Sequence, residues 1–141
     1  MFERVYTVTV YWDGPREGVA DYEGVPHHYI AEWNDVRDEY AETYSLTPID
    51  DVTLALLLED WAIWSRWKVA FHRGEVDLAS HPALPEDRVR YKELEAELSV
   101  RLGKDAQGCL RKRAEFRDSV DAESPGAGFM KPLLVRWYDP V

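Results

Sequence analysis

The chain has 141 residues, 45% of them hydrophobic and 13% aromatic, which is ample material for one core and argues against global disorder. At this length folding buries roughly 68 to 70% of the surface that the unfolded chain exposes. Asp and Glu number 27 against 17 Lys and Arg, and the net charge of -10 repels polyphosphate and anionic lipid surfaces while favouring a basic partner.

Cys109 is the single cysteine, so no internal disulfide forms, and Met1-Phe2-Glu3-Arg4 lacks the basic-then-apolar pattern of a secretory signal. The expected compartment is a reducing cytoplasm. The longest strongly apolar run, Leu54 to Leu58, falls far short of the roughly 20 residues of a membrane span, so no membrane association is expected.

Val5 to Trp12 alternates β-branched and aromatic residues, with Tyr6, Val8, Val10 and Trp12 on one face and Val5, Thr7, Thr9 and Tyr11 on the other. That predicts a strand, ended by a Gly- and Pro-containing turn over Asp13 to Gly18 with Arg16 exposed at its tip. A short strand from Val19 to Tyr22, a turn at Glu23-Gly24-Val25-Pro26 and a strand from His27 to Trp33 complete a three-stranded antiparallel meander. An acidic stretch runs from Asp35 to Glu42, and Tyr44, Leu46 and Thr47 suggest one further brief strand ending at Pro48.

Asp50 is a natural N-cap, with Ile49 and Leu54 placed to staple across it. Leu54, Leu57, Trp61, Trp64, Trp67 and Phe71 then recur at helical steps until Gly74. A loop through His81-Pro82 leads to Pro85 at a first-turn position, followed by Glu86 and Asp87. The second helix carries a stripe of Tyr91, Leu94, Leu98 and Leu102, a Glu97–Arg101 pair, and a stop at Gly103, and it should lie antiparallel to the first. Leu110, Ala114 and Phe116, interleaved with Arg111, Arg113, Glu115 and Arg117, read as a strand with a wet, basic face. Residues 121 to 128 suit a mobile loop, and Leu133 to Tyr138 a closing strand.

The fold class expected is α+β: one domain over 1–141, a small, strongly bent antiparallel sheet or partial barrel in the order β-β-β-(β)-α-α-β-β, covered by an inserted helical hairpin at about 50–103. Whether the last strands pair with the first is left open by the pattern.

Three segments together resemble a family of small bacterial proteins with no assigned activity: Asp13 to Ala20 followed by Gly24-Val25-Pro26-His27, the Trp61 to Trp67 block through Phe71, and His81-Pro82-Ala83-Leu84-Pro85-Glu86-Asp87. The resemblance covers roughly residues 5 to 100. It implies a bacterial cytosolic origin and carries over no catalytic residue.

Among constellations, His28, His72 and His81 with Glu59 or Asp60 form the one metal-assisted hydrolase arrangement worth weighing, although no two His stand one helical turn apart. His27 and His28 should point to opposite faces of their strand. Cys109 beside Arg111, Lys112 and Arg113 has a cationic setting for a thiolate, against its default role as a small strand hydrophobe. Asp35, Asp38, Glu39 and Glu42 would share one side if that stretch were helical, and read as a solvated acidic face. Arg111, Lys112, Arg113 and Arg117, with Tyr6, Tyr11, Trp12, Trp33 and Trp137 as stacking groups, are what a single-stranded nucleic-acid binder would use. The overall charge opposes it, and pairing to the chain's own carboxylates is the expected fate of those cations. The Trp61, Trp64 and Trp67 stripe reads as core.

No phosphate loop, nucleophile elbow or Cys-x-x-Cys is present in the sequence, and no cofactor is implied. The leading expectation is a non-enzymatic module that binds another protein, as an adaptor, inhibitor or immunity-like protein, through Trp12, Arg16, Trp33 and Tyr40.

Overall fold

The computed structural model of the protein describes residues 1–102, 110–119 and 132–140. Its elements are β1 (Glu3–Tyr11), β2 (Pro15–Tyr22), β3 (Val25–Asn34), β4 (Glu39–Pro48), α1 (Asp51–His72), α2 (Arg88–Leu102), β5 (Leu110–Asp118) and β6 (Leu133–Tyr138), with 3-10 turns at Leu78–Ser80 and Pro85–Asp87. Neighbouring strands are antiparallel throughout, and β6 closes on β1 by pairing Val135 with Glu3 and Leu134 with Arg4. The sheet is therefore a closed barrel rather than an open or partial one, with the helical hairpin inserted between β4 and β5. Among the described residues no helix is long and apolar enough to cross a membrane.

The strands are longer than the turn residues suggest. Pro15 to Gly18 belong to β2, and the turn contracts to Trp12, Asp13 and Gly14, with Asp13 at φ +52° and Gly14 at φ +122°. The pairing of Tyr11 with Pro15 tolerates the proline at the first position of its strand. The next hairpin turns on two residues, Glu23 and Gly24, at φ +52° and +76°, the double left-handed geometry that matches strand twist. The acidic stretch is not helical: Asp35 to Asp38 form a turn, and Glu39 and Glu42 lie on β4, which is a full ten-residue strand.

The expected alternation of β1 fails because register shifts interrupt its pairing with β2 between Val5 and Thr7 and again between Val8 and Val10. Each added residue flips the faces that follow. Val5 and Val8 both join the barrel interior, whereas Val19, opposite Thr7, packs under the hairpin.

The interior is built on Val5, Val8, Ala20, Tyr29, Ala31, Tyr44, Leu46 and Val135, with Phe116 and Trp137 against them. Tyr29 donates to the Thr7 carbonyl at 3.0 Å and Tyr44 to that of Pro15 at 2.7 Å, so these buried hydroxyls retain acceptors. Gly18 makes this packing possible: a Cβ there would lie 2.1 Å from the Thr7 carbonyl oxygen and 2.7 Å from the Tyr29 hydroxyl.

A second cluster joins the hairpin to the outside of the barrel through Val19, Leu57, Ile63, Ala83, Leu94 and Leu98. Asp50 caps α1 by accepting from the Thr53 amide at 2.7 Å, and Gly74, at φ +73°, follows its C-terminus. The Trp stripe is core as expected, with Trp61 stacked on Trp64 and Trp67 on Phe71, and the buried face widens to include Ile63 and Ala70.

Candidate functional site

Two places on this frame carry exposed or half-buried chemistry. The first is the barrel end where the β1–β2 and β3–β4 turns meet. Arg16 is half-buried on β2, not at an exposed tip. Its guanidinium donates to the Trp12 carbonyl at 2.7 Å and the Asp13 carbonyl at 3.0 Å, and lies 4.8 Å from the centroid of the Tyr40 ring. Tyr40 in turn meets Trp33 edge to face at 4.9 Å. The four residues picked out in the sequence thus form one contiguous chain of contacts, although they come from three strands and a turn.

The outer members remain open to solvent: Trp12 is 72% exposed, Trp33 49% and the adjacent Tyr11 60%. Exposed Asp13, Asp35, Asp38 and Glu39 occupy the same two turns and the start of β4. The β3–β4 turn is ordered by Asn34, whose Oδ1 accepts from the amides of Val36 and Arg37. Beside this surface a cavity of about 410 Å³ is lined by Arg16, Glu42, Tyr44, Arg113, Ala114 and Tyr138. Burial raises the Tyr44 phenol above its usual range, against the lowering pull of Arg16.

The second place is a cleft between the outer face of β1 to β3 and the hairpin, about 440 Å³, with Glu17, His28, Asp60, Tyr91 and Glu95 among its walls and Val19, Leu57 and Leu98 as apolar surface. A smaller lobe of about 230 Å³ shares Thr9, Asp60 and Tyr91 with it and extends along Trp61, Trp64, His81 and Pro82. His28 Nε2 lies 3.3 Å from a Glu17 carboxylate oxygen. Asp60 is half-buried on α1, and its carboxyl is raised above the ordinary range by desolvation first and by the charge of Glu95 second. The phenol of Tyr91 is raised for the same order of causes, burial and then Glu95 and Asp60.

The candidate metal ligands are dispersed. His28 lies in the cleft, His81 sits edge-on to Trp67 at 4.7 Å in the neighbourhood of the smaller lobe, and His72 meets Phe71 at 5.9 Å. Glu59 is held by a bidentate pair with Arg90 at 2.5 and 2.8 Å. Among the described residues no three His, Cys, Asp or Glu gather in a way that could hold a metal ion. His27 and His28 do face opposite ways: His27 is buried, its Nδ1 2.7 Å from the Val25 carbonyl.

Three cations of the basic strand are engaged within the molecule, while the buried Nε of Arg113 has no hydrogen-bond partner. Arg111 forms a bidentate bond with Glu32 at 2.7 and 2.6 Å, Lys112 pairs with Asp139, and Arg117 covers the Phe2 ring. Of the proposed stacking groups, Trp137 is spent on the interior, donating to the Asp21 carbonyl at 2.9 Å, and Tyr6 lies under Arg4. Cys109, Gly103 and the 121–128 segment lie outside the described residues.

Sequence reasoning missed Thr9, Glu17, Tyr91 and Glu95 as cleft residues. One signal was present: Asp60 follows Leu57 by three residues and precedes Trp64 by four, which places a carboxylate on the stripe that must face protein. Comparison with known proteins found no matching family model, no matching curated protein and no matching solved structure.

Proposed function

We propose that the chain is a protein-binding module of a bacterial cytoplasm, acting as an adaptor, inhibitor or immunity-like protein, and that it docks a basic protein surface on the barrel end around Trp12, Arg16, Trp33 and Tyr40. The observation that carries this reading is the contact chain from Trp12 through Arg16 and Tyr40 to Trp33, which leaves two tryptophans 72% and 49% exposed. Large aromatic side chains held in place by neighbours supply binding area at little cost in conformational freedom, and Trp, Tyr and Arg are the residues on which interface energy concentrates.

The acidic groups of the same turns set the partner's chemistry. Asp13, Asp35, Asp38 and Glu39 are exposed around the aromatics, in a chain whose net charge is -10. A Lys- or Arg-rich surface gains from this rim in association rate and specificity, and its cations can rest on the exposed indole faces.

The test compares the wild type with a Trp12→Ser/Trp33→Ser double variant. The partner is captured with tagged wild-type protein from an extract of the source cells, purified, and titrated against both forms. A hot-spot indole contributes about 2 kcal/mol and such contributions are not additive, so loss of both should lower affinity by at least the roughly 30-fold that one is worth, while thermal stability stays put and binding weakens with added salt. Equal affinity for both proteins, or a partner that binds independently of salt, overturns the reading. A dimer of this chain that dissolves in the double variant would overturn it as well, by making the surface a self-contact.

A further inference from the structure

The cleft behind the hairpin is separate from the docking surface, and its lining has a consistent chemistry. Glu17 on β2, Asp60 on α1 and Glu95 on α2 are acidic residues on three sides of it, and although His28 lies 3.3 Å from Glu17, neither lobe is lined by Lys or Arg among the described residues. By contrast, Glu32, Glu59, Asp87, Glu97 and Asp139 each hold an Arg or Lys. Asp60 forms no ion pair among the described residues, and the charge that acts on it is the like charge of Glu95.

We propose that this cleft binds a small organic cation of the aliphatic amine class, with its ammonium at Asp60 between the Glu17 and Glu95 walls and its carbon chain along Leu57, Leu98 and Val19. The apolar surface distinguishes such a ligand from an inorganic ion. A hard cation needs several oxygens gathered within bonding distance, and no such group of acids forms among the described residues. A cleft with an apolar floor and a few charged groups instead fits an amphipathic molecule whose chain leaves water as its head is paired. Asp60 lies at the junction of the two lobes, so an ammonium there can direct its chain into either. The smaller lobe offers the stacked rings of Trp61 and Trp64, one more surface that favours cations.

Cadaverine is the probe, with 1,5-pentanediol as its uncharged counterpart of the same skeleton, and amide and indole NMR shifts as the readout. Cadaverine should saturate one site and move resonances of Asp60, Tyr91 and Leu98, and the diol should bind at least tenfold more weakly. Asp60→Asn should weaken cadaverine at least tenfold while remaining folded, and Asp38→Asn, which changes the net charge by the same one unit at the barrel end, should leave its affinity unchanged. Equal binding of the diol, equal binding by Asp60→Asn, equal weakening by the barrel-end variant, or no saturable binding across the millimolar range each overturns the proposal. The docking surface is untouched by any of these results.

Discussion

The barrel interior and the cleft behind the hairpin both enclose polar groups, and they treat them in opposite ways. Inside the barrel, the hydroxyls of Tyr29 and Tyr44 and the indole N–H of Trp137 each donate to a backbone carbonyl at 3.0, 2.7 and 2.9 Å. In the cleft, Asp60 is partly desolvated and its charged neighbour is another carboxylate. Those three donors keep acceptors and avoid the cost of an unmade hydrogen bond, whereas the buried indole N–H of Trp61, in the same cluster, has none. The cleft keeps a charge in an environment that disfavours it, which is characteristic of surfaces shaped by binding or chemistry.

The contrast breaks most sharply at Gly18. In Gly18→Ala the new methyl meets the Thr7 carbonyl oxygen at 2.1 Å, and because that atom is backbone, no side-chain rotation relieves it. We expect a loss above about 3 kcal/mol, measured by urea unfolding, or outright failure to fold. Tyr29→Phe removes only the 2.7 Å hydroxyl contact and should not rescue the variant. A stable Gly18→Ala protein would mean that the interior has slack it does not show.

How much of this was legible in the sequence follows the same divide. The helical hairpin could be read closely, because Asp50, Gly74 and the Leu57–Trp61–Trp64 spacing are local signals that no distant contact overrides. Trp12, Arg16, Trp33 and Tyr40 could be named but not assembled, since only the pairing of β3 with β4 and the packing of Arg16 on Tyr40 bring them together. The pattern reached a strongly bent sheet or partial barrel but not its full closure, and the bulges of β1 could not be read. A register shift depends on the partner strand, and the Val5–Ala20 and Thr7–Val19 pairs differ in face by one unpaired residue that alternation cannot reveal. The cleft was invisible for the same reason, as its walls come from β1, β2, β3, α1 and α2.

A middle-sized effect belongs to the outer wall of the barrel, where Glu32 on β3 accepts from Thr43 and Ser45 on β4 and from Arg111 on β5, tying three strands. The Arg111 hydrogen bonds, opposed by some desolvation and aided by Thr43, hold the Glu32 carboxyl below its ordinary range. A lowered folded pKa contributes stability that is present above the unfolded value, near 4.3, and is lost as pH falls through the folded one. Glu32→Gln should therefore cost about 1 kcal/mol at neutral pH, a figure reduced for solvent screening, and the difference should vanish in acid. A cost independent of pH would assign the effect to packing rather than charge.

The smallest effect has the opposite sign and comes from the cleft. Asp60 is raised in the folded state, so its ionisation works against folding: stability is greatest below the unfolded pKa, near 3.9, and declines as pH rises from there through the folded pKa. Asp60→Asn removes that penalty and should raise the melting temperature at neutral pH by no more than a few degrees, with the gain fading toward pH 3. The same substitution is the one expected to weaken amine binding, so a single residue should trade stability against affinity. If Asp60→Asn instead lowers the melting temperature at neutral pH, the carboxylate is stabilising the fold as an anion, and the cleft handles its charges as the barrel interior handles its hydroxyls.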